Sequence, residues 1–563
     1  MKNKKIKIIS IFTVVISLIA SFLLGYNIKA KDRKNLDIDN KKESIEITTS
    51  KENYSGKKPK YIFLFIGDGM SYSQLQLADY YLKETENNGL NILRLSTNGT
   101  MQNPDKTSLI PDSASTATAM ATGKKTKSGN INVSEDGSKK YETITQKLKK
   151  DGYKIGIATT VNINHATPAG FSAHRESRKG YYEIGKEMLN TGFDYFAGGD
   201  FKDKKGENGD KKSLEKIAEE KGYTVADREE EFNKLGNNFD VEKLQNSSKD
   251  EKYLVISEDR EKTDAMKYSI DKRYELENGA EESASLSDYV KKGIDILYDN
   301  NEKDKKDKKD KKDKKDKKDK KDKKDKGFLM VVEGGKIDWA CHKNDAASAL
   351  HEMIDLDNAV DEALKFYNNH KDETLIIVTG DHETGGLAIG NSSSEYDTHL
   401  ENLGLQKISC DRFNEEYVSK YKKEKTDFKY VLKDIEYVFG LEKPLIFKEE
   451  KAKKDSDDDH KHSDENSLKL SKSEYERLKK AYELTIEKSS KDRTKEESIL
   501  YGSHEPITVE AARILAQKSG IGFTSFSHTA APMAVFSEGV GASEFGGMYD
   551  NTELYEKLIE VIY

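Results

Sequence analysis

Aspartate, glutamate, histidine and serine recur in five short blocks of this chain, and three of the blocks contain an unbroken apolar run. In chain order the blocks are IFLFIGDGM (62–70), LIPDSASTATAMATG (109–123), GFLMVVEGGKIDWACH (327–342), TLIIVTGDHETGG (374–386) and FSHTAAP (526–532). Mixed sets of carboxylates and imidazoles suit zinc, whereas oxygen ligands alone suit magnesium. A serine beside such ligands is a candidate nucleophile. The blocks together predict a metal-assisted site that hydrolyses phosphate esters.

Ser113 is the candidate nucleophile. It opens a run of small residues that ends at Gly123, which predicts a helix with Ser113 near its N-terminus and glycine as its C-cap. Free N–H groups at the start of a helix attract phosphate oxygens. Taken alone, such a run is more typical of a tightly packed helix with a serine cap, and the neighbouring ligand-type residues favour the nucleophile.

The spacing of the other polar residues suits metal binding. Asp338 and His342 are four positions apart, so a helix would place both on one face, where they could hold one ion. Asp381 and His382 are adjacent, and the glycines around them allow a turn that directs both side chains to one metal. Taken singly, each has a simpler explanation. Asp338 could be a helix cap, Asp381 and His382 could form a buried turn, and His528 could be an ordinary core or surface histidine. The presence of all these residues in one chain favours their interpretation as metal ligands.

Four apolar runs predict the elements that position these residues. They cover residues 61–66, 154–158, 328–333 and 374–379. Unbroken runs of this kind indicate strands covered on both faces, hence an α/β fold with a mostly parallel central sheet and flanking helices. Ligands bind such sheets at the carboxyl ends of the strands. Asp68, Glu333 and the pair Asp381 and His382 are predicted to meet there.

These motifs resemble those of the alkaline phosphatase family over roughly residues 60–200, 327–390 and 522–563. The resemblance implies hydrolysis of phosphomonoesters, with little regard for the leaving group, by a serine that is transiently phosphorylated. Ser113 matches that nucleophile. Arg178, in HATPAGFSAHRESRKG, matches the arginine that binds the phosphate, although Arg175 lies close enough in sequence to be an alternative.

The resemblance also implies two zinc ions and one magnesium ion. The first zinc ion would be held by Asp338, His342 and His528. The second would be held by Asp68, Asp381 and His382, with Asp68 shared with magnesium. The remaining magnesium ligands would be Thr167 and Glu333.

Two positions depart from the best-known bacterial pattern. His165 stands two residues before Thr167, where an aspartate is common, and Trp339 follows Asp338, where a lysine is common. Imidazole in place of carboxylate favours softer ions, so cobalt or zinc is the alternative to magnesium in the third site. We expect His165 and Trp339 to line the phosphate pocket with Arg178.

The charge distribution argues against nucleic acid as a partner. The 563-residue chain has a formal net charge of −7, and the Lys/Asp repeat at 303–326 is itself strongly positive, so the remainder is more acidic still. We expect small phosphomonoesters as substrates. A homodimer is possible in this family.

The N-terminus indicates export. Four lysines precede an apolar stretch at 8–25, which predicts that residues 1–30 are a signal peptide or an uncleaved membrane anchor. Residues 31–58 are charged and predict a polar tether, and 59–563 the catalytic domain. We therefore expect an extracytoplasmic protein, secreted or membrane-anchored. Cys341 and Cys410 are interpreted as free thiols.

Two insertions interrupt the predicted catalytic domain. The repeat at 303–326 lacks apolar residues and is interpreted as a solvated loop. Because it precedes the strand at 328–333, it should enter at the amino end of that strand, away from the site. Residues 391–521 form a polar, helix-rich variable insertion with a disordered stretch at 448–466.

Other functions are weighed against this interpretation. A sulfatase of the same superfamily needs a Cys or Ser in a C/S-x-P-x-R context, and Ser113 is followed by Ala-Ser-Thr. A related phosphoglycerate mutase should lack the export segment. A phosphodiesterase, or a surface protein that binds phosphate or metal without turnover, is also an alternative, and the complete set of nucleophile, arginine and ligands argues against the latter.

Overall fold

The computed structural model describes residues 56–235, 251–298, 326–392, 396–444 and 468–563. Several predicted segments lie outside the described residues: 1–30, nearly all of 31–58, 303–325 of the repeat, and 448–466. Among the helices of the described part, none has the length and apolar character needed to cross a membrane.

A ten-stranded sheet forms the centre of the fold. The strands in chain order are β1 (Tyr61–Gly67), β2 (Thr97–Gln102), β3 (Lys154–Thr159), β4 (Tyr195–Gly198), β5 (Tyr223–Ala226), β6 (Lys252–Ile256), β7 (Phe328–Gly334), β8 (Thr374–Gly380), β9 (Glu383–Thr384), β10 (Ala388–Ile389), β11 (Leu441–Glu442), β12 (Leu468–Lys469), β13 (Ile521–Gly522), β14 (His528–Thr529), β15 (Met533–Gly539) and β16 (Gly547–Asp550). The order in the large sheet is β16-β2-β15-β8-β1-β7-β3-β4-β6-β5. Only β15 runs antiparallel to its neighbours in this sheet. The predicted mostly parallel sheet is confirmed.

The three central strands are buried along their whole length and are in register. Every residue of β1, β7 and β8 is buried, as expected for strands covered on both faces. Gly67 at the end of β1 pairs with Gly334 on one side and with Gly380 on the other. The residues that follow β1 and β8 therefore emerge at the same edge of the sheet. Phe328 lies at the opposite edge, at the amino end of β7.

Helices cover both faces of the sheet. They are α1 (Tyr72–Glu86), α2 (Ser113–Thr122), α3 (Ile144–Lys150), α4 (Ala166–Gly170), α5 (Tyr181–Asn190), α6 (Leu214–Glu220), α7 (Glu229–Lys234), α8 (Ser269–Glu277), α9 (Leu286–Leu297), α10 (Lys336–Cys341), α11 (Ala346–Asn369), α12 (Cys410–Phe413), α13 (Ser419–Glu424), α14 (Phe428–Phe439), α15 (Lys472–Glu487), α16 (Lys495–Tyr501), α17 (Pro506–Lys518) and α18 (Asn551–Ile562). Phe63 and Phe65 of β1 pack on the face with α1, α9 and α11, whereas Leu64 packs on the face with α2, α3 and α18. Alternate side chains of one strand thus enter two cores.

The insertion at 391–521 contributes to one of these cores. Its helices α14 and α17 place Val431, Ile435 and Ile514 in the cluster that also contains Phe63. A segment that is polar in overall composition therefore still has apolar faces that are buried against the catalytic part. Cys341 and Cys410 are buried free thiols, as predicted.

Candidate metal centre and active site

The carboxyl edge of the sheet collects the predicted carboxylates. Asp68 follows β1, Glu333 lies near the end of β7, and Asp381 follows β8; none of the three side chains is more than 1% exposed. Close packing requires glycine at Gly69, because its φ is +77° and an added Cβ would lie 2.8 Å from the Cα of Asp338. The loop after β1 can therefore contact α10 directly.

Three groups of side chains in the described part could each hold a metal ion. We call them the central group (Asp68, Asp381, His382), the outer group (Asp338, His382, His528) and the third group (Asp68, His165, Glu333). Within each group the ligand atoms lie within 4.8 Å of one another. Asp68 belongs to two groups and His382 to two, so the three positions are neighbours.

The central group is fully buried. His382 Nε2 lies 3.3 Å from Asp68 Oδ1 and 3.4 Å from Asp381 Oδ2. Asp381 Oδ1 also accepts hydrogen bonds from the N–H groups of Gly69 and His382, at 3.2 and 2.8 Å. These bonds fix the turn that directs Asp381 and His382 to one point, as the sequence predicted.

His342 also belongs beside the outer group. Its Nε2 lies 3.3 Å from Asp338 Oδ1 and 3.2 Å from Nε2 of His528. Helix α10 places Asp338 and His342 one turn apart, so the predicted i, i+4 pair does lie together. The sequence did not indicate that His382 would also lie within reach of Asp338 and His528.

Backbone carbonyls orient two of the imidazoles. Nδ1 of His342 lies 2.6 Å from the Phe526 carbonyl oxygen, and Nδ1 of His528 lies 2.7 Å from that of Pro111. A carbonyl only accepts, so each Nδ1 carries the proton and donates it. The other nitrogen of each ring, Nε2, faces Asp338, and an Nε2 that carries no proton can bind a metal ion, which is the arrangement that metal-binding histidines adopt.

The third group contains two buried polar atoms without partners. Glu333 Oε1 and His165 Nδ1 have no hydrogen bond in the described part of the chain, whereas Thr159 donates to Glu333 Oε2. Thr167 Oγ1 lies 3.4 Å from Asp68 Oδ2. Buried polar atoms normally have partners. A metal ion at this point would supply them, so these residues fit the predicted third metal.

Converging carboxylates perturb one another. Burial, followed by repulsion from Asp381 and Asp338, raises the pKa of Asp68 well above its ordinary value. Burial also raises the pKa of Asp381 and of Glu333 to about 7. Burial acts in the same direction on Asp338, but the combined effects of His342, His382 and His528 outweigh it and hold the pKa of Asp338 well below its ordinary value. Bound cations would stabilise the ionised carboxylates.

Ser113 is the first residue of α2, as predicted. Asp112 is the N-cap and accepts from the N–H of Ser115 at 3.0 Å, and Gly123, with φ of +67°, ends the helix. Ser113 Oγ lies 3.1 Å from His382 Nε2 and 3.5 Å from Asp68 Oδ1. The hydroxyl therefore lies at the junction of the metal-binding groups.

Arg178, not Arg175, faces the site. Arg178 Nη1 lies 3.0 Å from Asp112 Oδ2, and its Nη2 lies 3.4 Å from Nε2 of His165. Arg175 instead forms an ion pair with Glu187 at 3.1 Å. Of the two arginines, Arg178 is thus the one that contacts Asp112, the residue before Ser113.

His165 and Trp339 are neighbours beside Arg178. Their ring centroids lie 5.8 Å apart in an edge-to-face arrangement, and Trp339 is partly exposed. Burial and the charge of Arg178 lower the pKa of His165 to about 3. His165 is therefore neutral at ordinary pH and retains a lone pair for a metal ion.

Sequence reasoning missed several residues that support the site. Asp112 was not singled out, although its place before a helix start is a recognisable N-cap signal. Thr384 donates to Asp338 Oδ1 at 2.5 Å, and Asn103 donates to the Asp381 carbonyl oxygen at 2.9 Å. Glu383 links two ligand-bearing strands. These last three have no sequence signal, since their contacts arise only on folding.

Fold and site together define a class of protein. A serine hydroxyl at a helix N-terminus, beside neighbouring metal-binding groups and a guanidinium, is suited to attack a phosphoester, and its position at the carboxyl edge of a parallel sheet is where α/β enzymes bind ligands. This is the arrangement of a metal-dependent phosphoester hydrolase.

Comparison with known proteins gives the family. The alkaline phosphatase family model matches residues 59–562, and the chain belongs to that family. Alkaline phosphatase 3 of Bacillus subtilis is 27% identical over 538 residues, which cover 92% of this chain and 93% of that protein. The chain is thus a metal-dependent phosphomonoester hydrolase.

Solved structures share the fold. The cold-active alkaline phosphatase of the psychrophile Shewanella sp. has a TM-score of 0.63 and 24% identity, covering 89% of this chain and all of that one. The alkaline phosphatase of Thermus thermophilus has a TM-score of 0.66 and 21% identity, covering 90% and 92%.

Proposed function

We propose that the chain hydrolyses phosphomonoesters through a phosphoserine intermediate on Ser113, using two zinc ions and a third metal ion. The position of Ser113 Oγ, 3.1 Å from His382 Nε2 and 3.5 Å from Asp68 Oδ1, is the observation that carries this proposal. A nucleophile of the reaction must lie beside the ions that activate it.

The proposed ligand sets coincide with the central group but differ from the other two groups by one residue each: His342 replaces His382 of the outer group, and Thr167 replaces His165 of the third group. The first zinc ion is assigned to Asp338, His342 and His528. The second is assigned to Asp68, Asp381 and His382. The third ion is assigned to Asp68, Thr167 and Glu333, with His165 beside them. The orientation of Nε2 of His342 and of His528 toward Asp338 and the partnerless Glu333 Oε1 support these assignments.

Each catalytic side chain has a distinct task. When bound, the metal ions lower the pKa of the serine hydroxyl and stabilise the leaving oxygen. Ser113 Oγ gives up its proton to solvent and attacks phosphorus, and the bond from phosphorus to the leaving oxygen breaks as that oxygen takes a proton from water. A water molecule later cleaves the phosphoserine bond, which returns a proton to Ser113 Oγ and releases phosphate. Arg178 is placed to bind two phosphate oxygens with its planar fork. Arg178 Nη1 donates a hydrogen bond to Asp112 Oδ2, which fixes the position of the guanidinium.

The residues around the nucleophile account for a broad substrate range. Arg178, His165 and Trp339 are assigned to the phosphate pocket, and the N–H groups at the start of α2 face the same region. All of these recognise phosphate rather than the group esterified to it. Small phosphomonoesters with varied leaving groups should therefore be substrates.

Hydrolysis of three nitrophenyl esters tests this proposal. The monoester p-nitrophenyl phosphate should be hydrolysed, and activity should disappear with a chelator and return with zinc and magnesium. The phosphodiester bis-p-nitrophenyl phosphate and the sulfate ester should be poor substrates. Faster turnover of the diester or the sulfate would favour a phosphodiesterase or a sulfatase, and no turnover of any ester would favour a protein that only binds phosphate or metal.

Cellular placement is also a proposal. An extracytoplasmic enzyme agrees with the basic and apolar segment at 1–30, either cleaved or retained as a membrane anchor. Residues 31–58 would then be the tether and 59–563 the catalytic domain, with insertions at 303–326 and 391–521. A homodimer is proposed, and the acidic charge outside the repeat disfavours nucleic acid.

His165→Asp should move the metal preference of the third site toward magnesium. Imidazole favours softer ions, so the wild-type protein should be activated by cobalt or zinc in this site at least as well as by magnesium. A carboxylate adds a negative oxygen ligand and should favour magnesium. Reconstitution of metal-free wild-type and variant proteins with each ion measures this, and identical activation profiles would reject the role of His165.

A further inference from the structure

Glu383 is a buried carboxylate that the proposed chemistry does not use. It follows His382 directly, and its side chain is only 2% exposed. Its Oε1 accepts from Gln74 Nε2 at 2.7 Å and from the N–H of Leu387 at 3.1 Å. Its Oε2 accepts from the N–H of Gly386 at 3.1 Å and from the hydroxyl of Thr529. All four donors are neutral, so the carboxylate is satisfied by hydrogen bonds rather than by an ion pair.

These four bonds join three segments that adjoin proposed metal ligands. Gln74 lies in α1, which follows Asp68, and Gln74 also donates to the carbonyl oxygen of Thr384 at 3.1 Å. Gly386 and Leu387 belong to the turn after His382. Thr529 lies in β14, directly after His528. The Glu383 carboxylate therefore connects, by hydrogen bonds, the segments that adjoin the central and outer groups.

The strand pairing makes the position of His528 depend on this link. Strand β14 is two residues long and pairs with β9, with His528 opposite Thr384 and Thr529 opposite Glu383. Two residue pairs form a weak ladder without side-chain support. The rings of His528 and His382 nevertheless stack with centroids 3.6 Å apart. His528 Nδ1 donates to the Pro111 carbonyl oxygen, which orients the ring, and the bond from Thr529 to Glu383 holds β14 against β9 at this spacing.

Asp381 of the central group has anchors of its own. Asp381 is held by the N–H groups of Gly69 and His382 and by Asn103, none of which involves Glu383. Loss of the Glu383 carboxylate should therefore displace His528 more than Asp381. The outer group would lose its geometry first.

We infer that Glu383 is a positioning residue that sets the place of His528 relative to His382 and thereby the affinity of the first zinc ion. This inference rests on the proposed zinc assignment. Glutamine keeps the size of Glu383 but replaces one acceptor oxygen with an NH₂ group, so two of the four donors would face another donor. Supporting residues around a metal typically change its affinity by about 10- to 100-fold.

The test is a zinc titration of metal-free full-length protein against a chromophoric chelator. Glu383→Gln should weaken one zinc equivalent by about 10- to 100-fold and leave the other nearly unchanged. Thr529→Val, which removes only the hydroxyl bond, should weaken the same equivalent to a smaller extent. Cobalt in place of zinc should show an altered visible absorption for that equivalent alone. The kcat should fall while KM stays within about three-fold, because Arg178 still binds the phosphate.

Asp357→Asn is the matched control. Asp357 in α11 is also a buried carboxylate that accepts only from neutral donors, namely Asn91 and the N–H of Ile92. This control should lower the melting temperature without changing either zinc affinity.

The outcomes separate this inference from the proposed function. Wild-type protein that binds no zinc or hydrolyses no phosphomonoester would defeat the proposed function itself. With a normal wild type, unchanged zinc affinity in both Glu383→Gln and Thr529→Val overturns the positioning role alone, as does equal weakening of both equivalents. If Glu383→Gln does not fold, the zinc affinity of the milder variant Thr529→Val tests the positioning role.

Discussion

Ser113→Ala should abolish the phosphoenzyme and lower kcat by about 10³-fold or more, since removal of a nucleophile typically costs at least this much. The hydroxyl is the one group at the start of α2 within 3.5 Å of both His382 and Asp68. Water at the metal centre can still attack the substrate slowly, so a small residual rate is expected. Acid quenching after incubation with labelled phosphate should trap label on the wild type and none on the variant.

Thr122→Ala provides the control for this experiment. This substitution also removes a buried hydroxyl from α2, but Thr122 lies nine residues after Ser113, or about 13 Å along the helix axis. It should keep normal turnover and normal labelling. Metal content should be the same in both variants, because neither residue is in a proposed ligand set. Near wild-type turnover in Ser113→Ala, with label still bound, would place the nucleophile elsewhere.

The central strands and the motif blocks were predictable because their signals are local. These strands contain the unbroken apolar runs 62–66, 328–332 and 375–378, and this pattern identifies doubly covered strands. Register then follows from parallel pairing, which brings the residues after β1 and β8 to one edge. Prediction of the helix at Ser113 succeeded for the same reason, since its cap residues lie at both ends of one short segment.

The supporting contacts of the site could not be predicted in this way. Glu383 touches Gln74 and Thr529, which are 309 and 146 positions away in the chain. Nothing in the local sequence distinguishes such a carboxylate from a surface glutamate. The packing of the insertion at 391–521 could not be predicted either. Its overall composition is polar and gives no sign of the apolar face that contains Ile435 and is buried in the core.

The grouping of ligands is an intermediate case. The residue types and spacing predicted which side chains would converge, but not that His382 would lie within reach of both Asp68 and His528. That arrangement depends on the antiparallel pairing of β9 with β14. Its strands are too short to be recognised from alternation of apolar residues.

Removal of the metal ions should abolish activity and lower the melting temperature together. Structural zinc contributes about 10 kcal/mol of binding free energy per ion, which for a chain of this size corresponds to a loss on the order of 10 °C. Four carboxylates converge in a buried space, and bound cations would relieve their repulsion and desolvation. Calorimetry before and after verified chelation measures the shift.

The drop in melting temperature on metal removal should be larger at alkaline pH, as the direction of the carboxylate pKa shifts requires. In the metal-free protein the pKa of Asp381 and of Glu333 is raised to about 7, mainly by burial, whereas unfolded carboxyls titrate near 4. A group whose pKa is raised on folding stabilises the fold when protonated, and that contribution is lost as pH rises from about 4 through about 7. Metal-free protein should therefore be less stable at pH 8 than at pH 5.5, whereas metal-loaded protein keeps these carboxylates ionised and bound at pH 8. The difference in melting temperature between the two forms should widen between these pH values. A difference that is the same at both pH values, in protein of verified metal content, would contradict this account of the carboxylates.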